Sequence, residues 1–226
     1  MAGTAIFDLD RTITRLPTWT RFMLFANGAR PGFLVQVPGL MICAIGYKLG
    51  LSSRDAIKAR ALRTLAWMDR PTIETRARAF VARELATNLR PGAVAAIARH
   101  LAQGDRLIMA TAAVDIIAEP LAQALGFHEV LATRLNWAPA QGAAPALLGS
   151  NCYGVEKLRR IAQSHAETPH AAPVHAYSDH VSDLDMLRQA DHGIAVNPSS
   201  GLRRAAPTHG IVIVNFDAPL LSESQE

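Results

Sequence analysis

A chain of 226 residues, half of them hydrophobic and 19% charged, carries enough apolar side chains for a sizeable core and too few charges for an intrinsically disordered protein. Its two cysteines, Cys43 and Cys152, lie far apart in no metal-ligand spacing, which excludes a disulfide-built scaffold and reads as reduced thiols. The net charge of +4 favours anionic partners without choosing among phosphates, lipids and nucleic acids.

In chain order, the start reaches Asp8 before any apolar run could serve as a secretion signal, so a cytoplasmic location is expected. Thr4 to Leu9 is a short apolar run ending in acids, the pattern of a buried parallel strand with polar chemistry at its C-terminal end. From about Pro17 to Leu89 the pattern is helix after helix, with turn signals at Asn27-Gly28, Gly50 and Arg70-Pro71.

Within that helical stretch, residues 32–51 are nearly apolar all round, interrupted by Gln36 and Lys48. Such a segment is a deeply packed helix pair, a membrane-surface or re-entrant element, or a span. A run rich in Lys and Arg follows, from Arg54 to Arg99. It reads as a solvated helical face or an anion-facing surface without an aromatic stacking platform, and nucleic acid is not expected as a partner.

After Arg90-Pro91-Gly92 the pattern alternates. A helix over about 93–102, a strand over 106–111, a helix over 114–125 and a strand over 129–135 are predicted. Residues 136–154 read as an irregular flap, and helix 155–165 follows. Strand 174–178, helix 182–189 and strands 193–196 and 210–215 close the alternation, before a polar tail from Ser222 that should fray.

Four motifs carry chemistry. In Asp8-Leu9-Asp10-Arg11-Thr12, two carboxylates at a strand end can approach one phosphoryl group, one attacking and one handling a proton, although such a pair also occurs in ordinary loops and at metal sites of glycosyltransferases. The strand ending at Thr111-Ala112 offers a hydroxyl and backbone N–H groups to an anion, or simply caps the next helix. Lys157 is either an exposed helical lysine or a counter-charge to carboxylates and phosphate. Asp179 and Asp183, at another strand end, supply two hard oxygen ligands of the kind Mg²⁺ takes.

Together, in this order and covering nearly the whole chain, the motifs resemble the haloacid dehalogenase superfamily. The resemblance implies a Rossmann-like α/β core of parallel strands, residues 1–14 and 90–226, with an inserted all-helical type-one cap, residues 15–89. It implies a Mg²⁺-dependent phosphomonoester phosphatase in which Asp8 is the nucleophile and Asp10 the general acid/base. Thr12, Thr111, Ala112 and Lys157 would bind phosphate, and Asp8, Asp10, Asp179 and Asp183 would bind the metal. Ala195-Val196-Asn197-Pro198 strengthens the likeness to the subgroup that contains phosphoserine phosphatases.

Two departures bear on substrate. Arg11 replaces the small residue usual in that subgroup and sets a cation at the rim of the site, and Leu16-Pro17-Thr18 stands where phosphoserine phosphatases carry a glutamate. The apolar stretch 32–51 and the basic helix behind it resemble the cap of phosphatidylglycerophosphate phosphatases, so a lipid-like phosphomonoester and peripheral membrane contact are expected. Phosphoserine hydrolysis, and a phosphotransferase or mutase using the same intermediate, are the alternatives. His165, His170, His175 and His180 recur every five residues, a period that aligns on neither helix nor strand, and are read as coincidence.

Overall fold

The computed structural model describes residues 2–137 and 144–218. Strand β1 (Thr4–Phe7) lies at the centre of a seven-stranded sheet of order β4-β3-β2-β1-β5-β6-β7. The others are β2 (Arg106–Val114), β3 (Glu129–Asn136), β4 (Ala146–Leu148), β5 (Val174–Ser178), β6 (His192–Val196) and β7 (Val212–Val214). All neighbours pair in parallel except β3 and β4.

The period-2 alternation of a strand places Ala5 and Phe7 in one apolar cluster and Ile6 in another, so both faces of the sheet are covered. On one side Phe7 stacks face to face on Tyr177, its register partner on β5, with ring centroids 4.2 Å apart. On the other side Ile6 and Ile108 meet Met186 and Leu187 of a later helix. Gly193 permits that approach, since a Cβ there would lie 2.4 Å from the Leu187 carbonyl oxygen.

Between β1 and the helix α6 (Pro91–Ala102) the chain forms α1 (Thr18–Asn27), α2 (Pro31–Leu34), α3 (Val37–Lys48), α4 (Arg54–Arg63) and α5 (Arg70–Thr87). Gly28 ends α1 at φ 57°, and Asp69 caps α5 by accepting the Thr72 N–H at 3.0 Å. This helical segment leaves and rejoins the sheet at Thr14 and Leu89, which pair as an antiparallel bridge. Phe22 of α1 meets Phe80 of α5 at 5.5 Å between centroids, and Arg21 of α1 pairs with buried Glu84 of α5.

The apolar stretch 32–51 is not deeply packed: Val35, Ile42, Leu49 and Leu51 are between 67% and 81% exposed. At 12 residues α3 is about 18 Å long, and among the described residues no helix is long and apolar enough to cross a membrane.

Other expectations shift. Lys58 and Arg90 of the basic run are buried rather than solvated. Trp67 and Phe80 do fall among those cations. Phe80 is buried, and Arg30 and Arg76 sit over Trp67 at 4.5 and 5.4 Å. Inside the expected flap, β4 pairs with β3, while residues 138–143 of it, and the tail 222–226, lie outside the described residues.

Helices α7 (Asp115–Ala124), α8 (Val155–Glu167) and α9 (Leu184–Gln189) arise as anticipated, whereas α10 (Ser200–Ala205) is too short to show a period. His165 and His170 do meet, with ring centroids 4.9 Å apart, because the chain turns between them. Cys152 is buried and Cys43 half-buried, both as free thiols.

Candidate functional site

Because β2, β1 and β5 are consecutive in the sheet and parallel, their C-terminal ends bring Thr111, Asp8 and Asp179 to one edge. Asp8 follows β1 directly, and its N–H continues the ladder to the Tyr177 carbonyl at 2.9 Å. Its carboxylate is therefore fixed by the sheet rather than by a free loop.

Past Asp8 the chain makes one wide helical turn, Leu9–Ile13, closed by Thr14 N–H on the Leu9 carbonyl at 3.0 Å. Arg11 sits in the left-handed region at φ 67°, a strained conformation for a side chain of that size. The Arg90 guanidinium holds it there by donating to the Arg11 carbonyl at 3.0 Å. Arg11 itself is exposed, and its charge pulls against the upward shift of Asp179. Thr12 donates its hydroxyl to Asp8 Oδ2 at 3.3 Å. Asp10 accepts the Thr18 N–H at 2.7 Å, holding the first residue of α1.

Lys157 closes the site. Gly154 starts α8 at φ 54°, and the first turn carries Lys157 inward, where Nζ donates to Asp8 Oδ1 at 2.8 Å and Asp183 Oδ2 at 2.7 Å. All three side chains are buried. Ser178, which the sequence did not single out, donates to the same Asp183 oxygen at 2.7 Å.

Burial raises Asp8 to about 7; Lys157 opposes the shift, and Asp183 and Asp179 add to it. Burial and Asp183 raise Asp179 to about 6, against the pull of Arg11. Burial also holds Asp10 above the usual carboxylate range. Lys157 is pushed down by burial, but Asp183 and Asp8 outweigh that and keep it firmly charged.

Thr111 faces its own loop, its hydroxyl accepting the Ala113 N–H at 3.0 Å. The register of β2 against β3 slips between Ala110 and Val114, so this loop bulges from the ladder. The Ala112 carbonyl accepts from Lys58 of α4 and, at 2.9 Å, from the Thr133 hydroxyl. Lys58 also donates to Asn151 Oδ1 at 2.6 Å, and burial lowers it to about 8. A signal for Lys58 existed: positions 58, 61, 62 and 65 form one buried stripe at helical spacing, with the lysine among Ala61, Leu62 and Leu65.

The donor set suits Mg²⁺. Asp8, Asp179 and Asp183 are hard oxygen donors, close enough that the neighbouring acids add to the upward shifts of Asp8 and Asp179, and Lys157 is bonded to both Asp8 and Asp183. Among the described residues no three His, Cys, Asp or Glu side chains are drawn into a ready-made metal cage.

Comparison with known proteins identifies the family. Residues 5–188 match the family model of haloacid dehalogenase-like hydrolases. Protein CicA of Caulobacter vibrioides is 32% identical over 186 residues, which is 82% of each chain. The histidinol-phosphatase of Neisseria meningitidis is 24% identical over 96% of this chain and all of its own. A crystal structure of a protein of unknown function from Bordetella pertussis superposes with a TM-score of 0.84 at 25% identity, covering 96% of this chain and 99% of that one. This chain belongs to the haloacid dehalogenase-like hydrolases.

Proposed function

We propose that the protein is a Mg²⁺-dependent phosphomonoester phosphatase that works through a phosphoryl group carried on Asp8. The observation that supports this most is the buried Lys157, bonded at once to Asp8 and Asp183, with Asp10 and Asp179 at the same sheet edge. Asp8, the main-chain carbonyl of Asp10, Asp179 and Asp183 would hold Mg²⁺, whose charge reduces the repulsion between a carboxylate and a phosphate dianion.

In the first step an Asp8 oxygen attacks phosphorus in line with the ester bond. As that bond breaks, Asp10 gives its proton to the departing oxygen, a role suited to a carboxyl held above its ordinary range. In the second step water attacks the same phosphorus, Asp10 takes the water's proton, and the bond from phosphorus to Asp8 breaks to release phosphate. Thr12, Thr111, the Ala112 N–H and Lys157 bind the non-bridging oxygens throughout.

Residues 15–89 serve in this reading as a cap over a core made of residues 1–14 and 90–226, and the paired crossing at Thr14 and Leu89 supports the division. The cap also bears on substrate. The exposed apolar side chains of α3 lie within residues 11–54, which carry Arg11, Arg15, Arg21, Arg30, Lys48 and Arg54 and no acid. That combination suits an anionic membrane surface and a lipid-like phosphomonoester presented there. The full-length match to a histidinol-phosphatase favours a second reading, a small soluble phosphomonoester.

Phosphate release from p-nitrophenyl phosphate and from a panel of phosphorylated amino acids, amino alcohols, sugars and lipid head groups, with and without Mg²⁺, tests the proposal. Turnover that needs Mg²⁺ and vanishes in Asp8→Asn is expected; turnover by Asp8→Asn at the wild-type rate contradicts it.

A further inference from the structure

The fold buries a second lysine, Lys58, and among the described residues it makes no salt bridge with a carboxylate. A buried cation satisfied by neutral oxygens is costly, so what it bonds is informative. Its partners are the Ala112 carbonyl and Asn151 Oδ1.

These two acceptors have a shared difficulty. The bulge in β2 removes regular ladder pairing from residues 111–113. The nearest hydroxyl, Thr133, lies 2.9 Å from the Ala112 carbonyl and 2.7 Å from Asn151 Oδ1. It has one proton and can serve only one of them at a time. The ammonium of Lys58 has three protons and serves both.

The consequence reaches Thr111 through a single planar unit. The Ala112 carbonyl and the Ala113 N–H belong to one peptide. Lys58 holds the oxygen end, and the N–H end donates to Thr111 Oγ1 at 3.0 Å. A hydroxyl that accepts from that N–H is left with its own proton to donate elsewhere, which is the state needed to grip a phosphate oxygen.

The geometry points to Lys58 as a positioning residue for the phosphate loop, pinning the Ala112–Ala113 peptide so that the Thr111 hydroxyl is presented as a donor. Lys58 comes from the helical segment rather than the sheet, so it also ties that segment to the loop. This role rests on the phosphatase reading above.

The test uses the full chain with p-nitrophenyl phosphate as substrate and inorganic phosphate as competitive inhibitor. Lys58→Met should raise KM and the phosphate inhibition constant together by about tenfold, the loss expected for a charged hydrogen-bond donor, with kcat changed less. Lys58→Gln, which keeps one donor at reduced strength, should fall between, and it decides the matter if Lys58→Met does not fold. In a Thr111→Val background Lys58→Met should add little further loss, because its effect runs through Thr111.

An unchanged phosphate inhibition constant in Lys58→Met overturns the proposal, as does a full additional loss in the Thr111→Val background. Either result in a protein whose wild type turns over leaves the phosphatase reading standing. A wild type that neither hydrolyses p-nitrophenyl phosphate nor binds phosphate removes both.

Discussion

Lys157 and Asp8 stand 149 positions apart in the chain and meet at 2.8 Å in the interior. The sheet fixes one and the first turn of α8 the other, so the contact depends on the whole α/β core being formed. With Asp183 on the same ammonium, two carboxylates share one cation, and burial, helped by the neighbouring acids, raises Asp8 and Asp179.

A pH-dependent response to metal follows. Asp8 at about 7 and Asp179 at about 6 lie above their ordinary 3.8. Between those values the folded protein holds protons that the unfolded chain has lost, so in the metal-free protein these two groups withdraw stability as pH rises. A divalent cation needs the ionised carboxylates and relieves their repulsion. Mg²⁺ should therefore raise the melting temperature more at pH 8 than at pH 5.5, as thermal melts with and without the ion would measure. An equal increment at both values contradicts the assignment.

Arg21 and Glu84 tie α1 to α5. The Arg21 guanidinium reaches Glu84 at 2.7 Å, and the glutamate is fully buried, with Asn88 as its other donor. Replacing Arg21 by Met leaves a buried carboxylate without its cation, and a loss of about 3 kcal/mol in urea unfolding is expected. Arg21→Met, Glu84→Gln together should recover part of it, because the stranded charge is gone.

The exposed face of α3 makes a prediction about membranes. Ile42 and Ile45 are 69% and 55% exposed. If that face rests on an anionic bilayer, sedimentation with phosphatidylglycerol vesicles at low salt should bring the protein down. Ile42→Glu should weaken that binding by about tenfold, the scale of one apolar side chain's transfer. Absence of binding by the wild-type chain leaves the small soluble phosphomonoester as the favoured substrate.

Much of this architecture is legible in the chain because strands buried on both faces read as continuous apolar runs, and acids at their ends mark where polar chemistry begins. Asp8, Asp10, Asp179 and Asp183 are each modest on that ground and gain weight from their order along the chain together with Thr111 and Lys157. What does not show is whatever depends on a distant partner. Lys58 shares a helical stripe with Ala61, Leu62 and Leu65, but what it bonds shows only once Ala112 and Asn151, 54 and 93 positions away, are seen beside it.

Ser178 likewise reads as a plain strand-end hydroxyl and proves to hold Asp183. Strand β4 has three residues and α10 six, each too short to develop a period. The left-handed Arg11 is set by the Arg90 bond across the crossing point, which nothing local announces.

The central claim is that a phosphoryl group passes onto Asp8, and rapid acid quenching tests it most directly. Protein mixed with excess phosphomonoester and Mg²⁺, quenched within the first turnovers and mapped by peptide mass spectrometry, should carry one added phosphoryl group on the peptide containing Asp8. The modification should be absent from Asp8→Asn. A label found on another residue, or turnover with no trapped label in wild type alongside undiminished turnover in Asp8→Asn, would contradict the account.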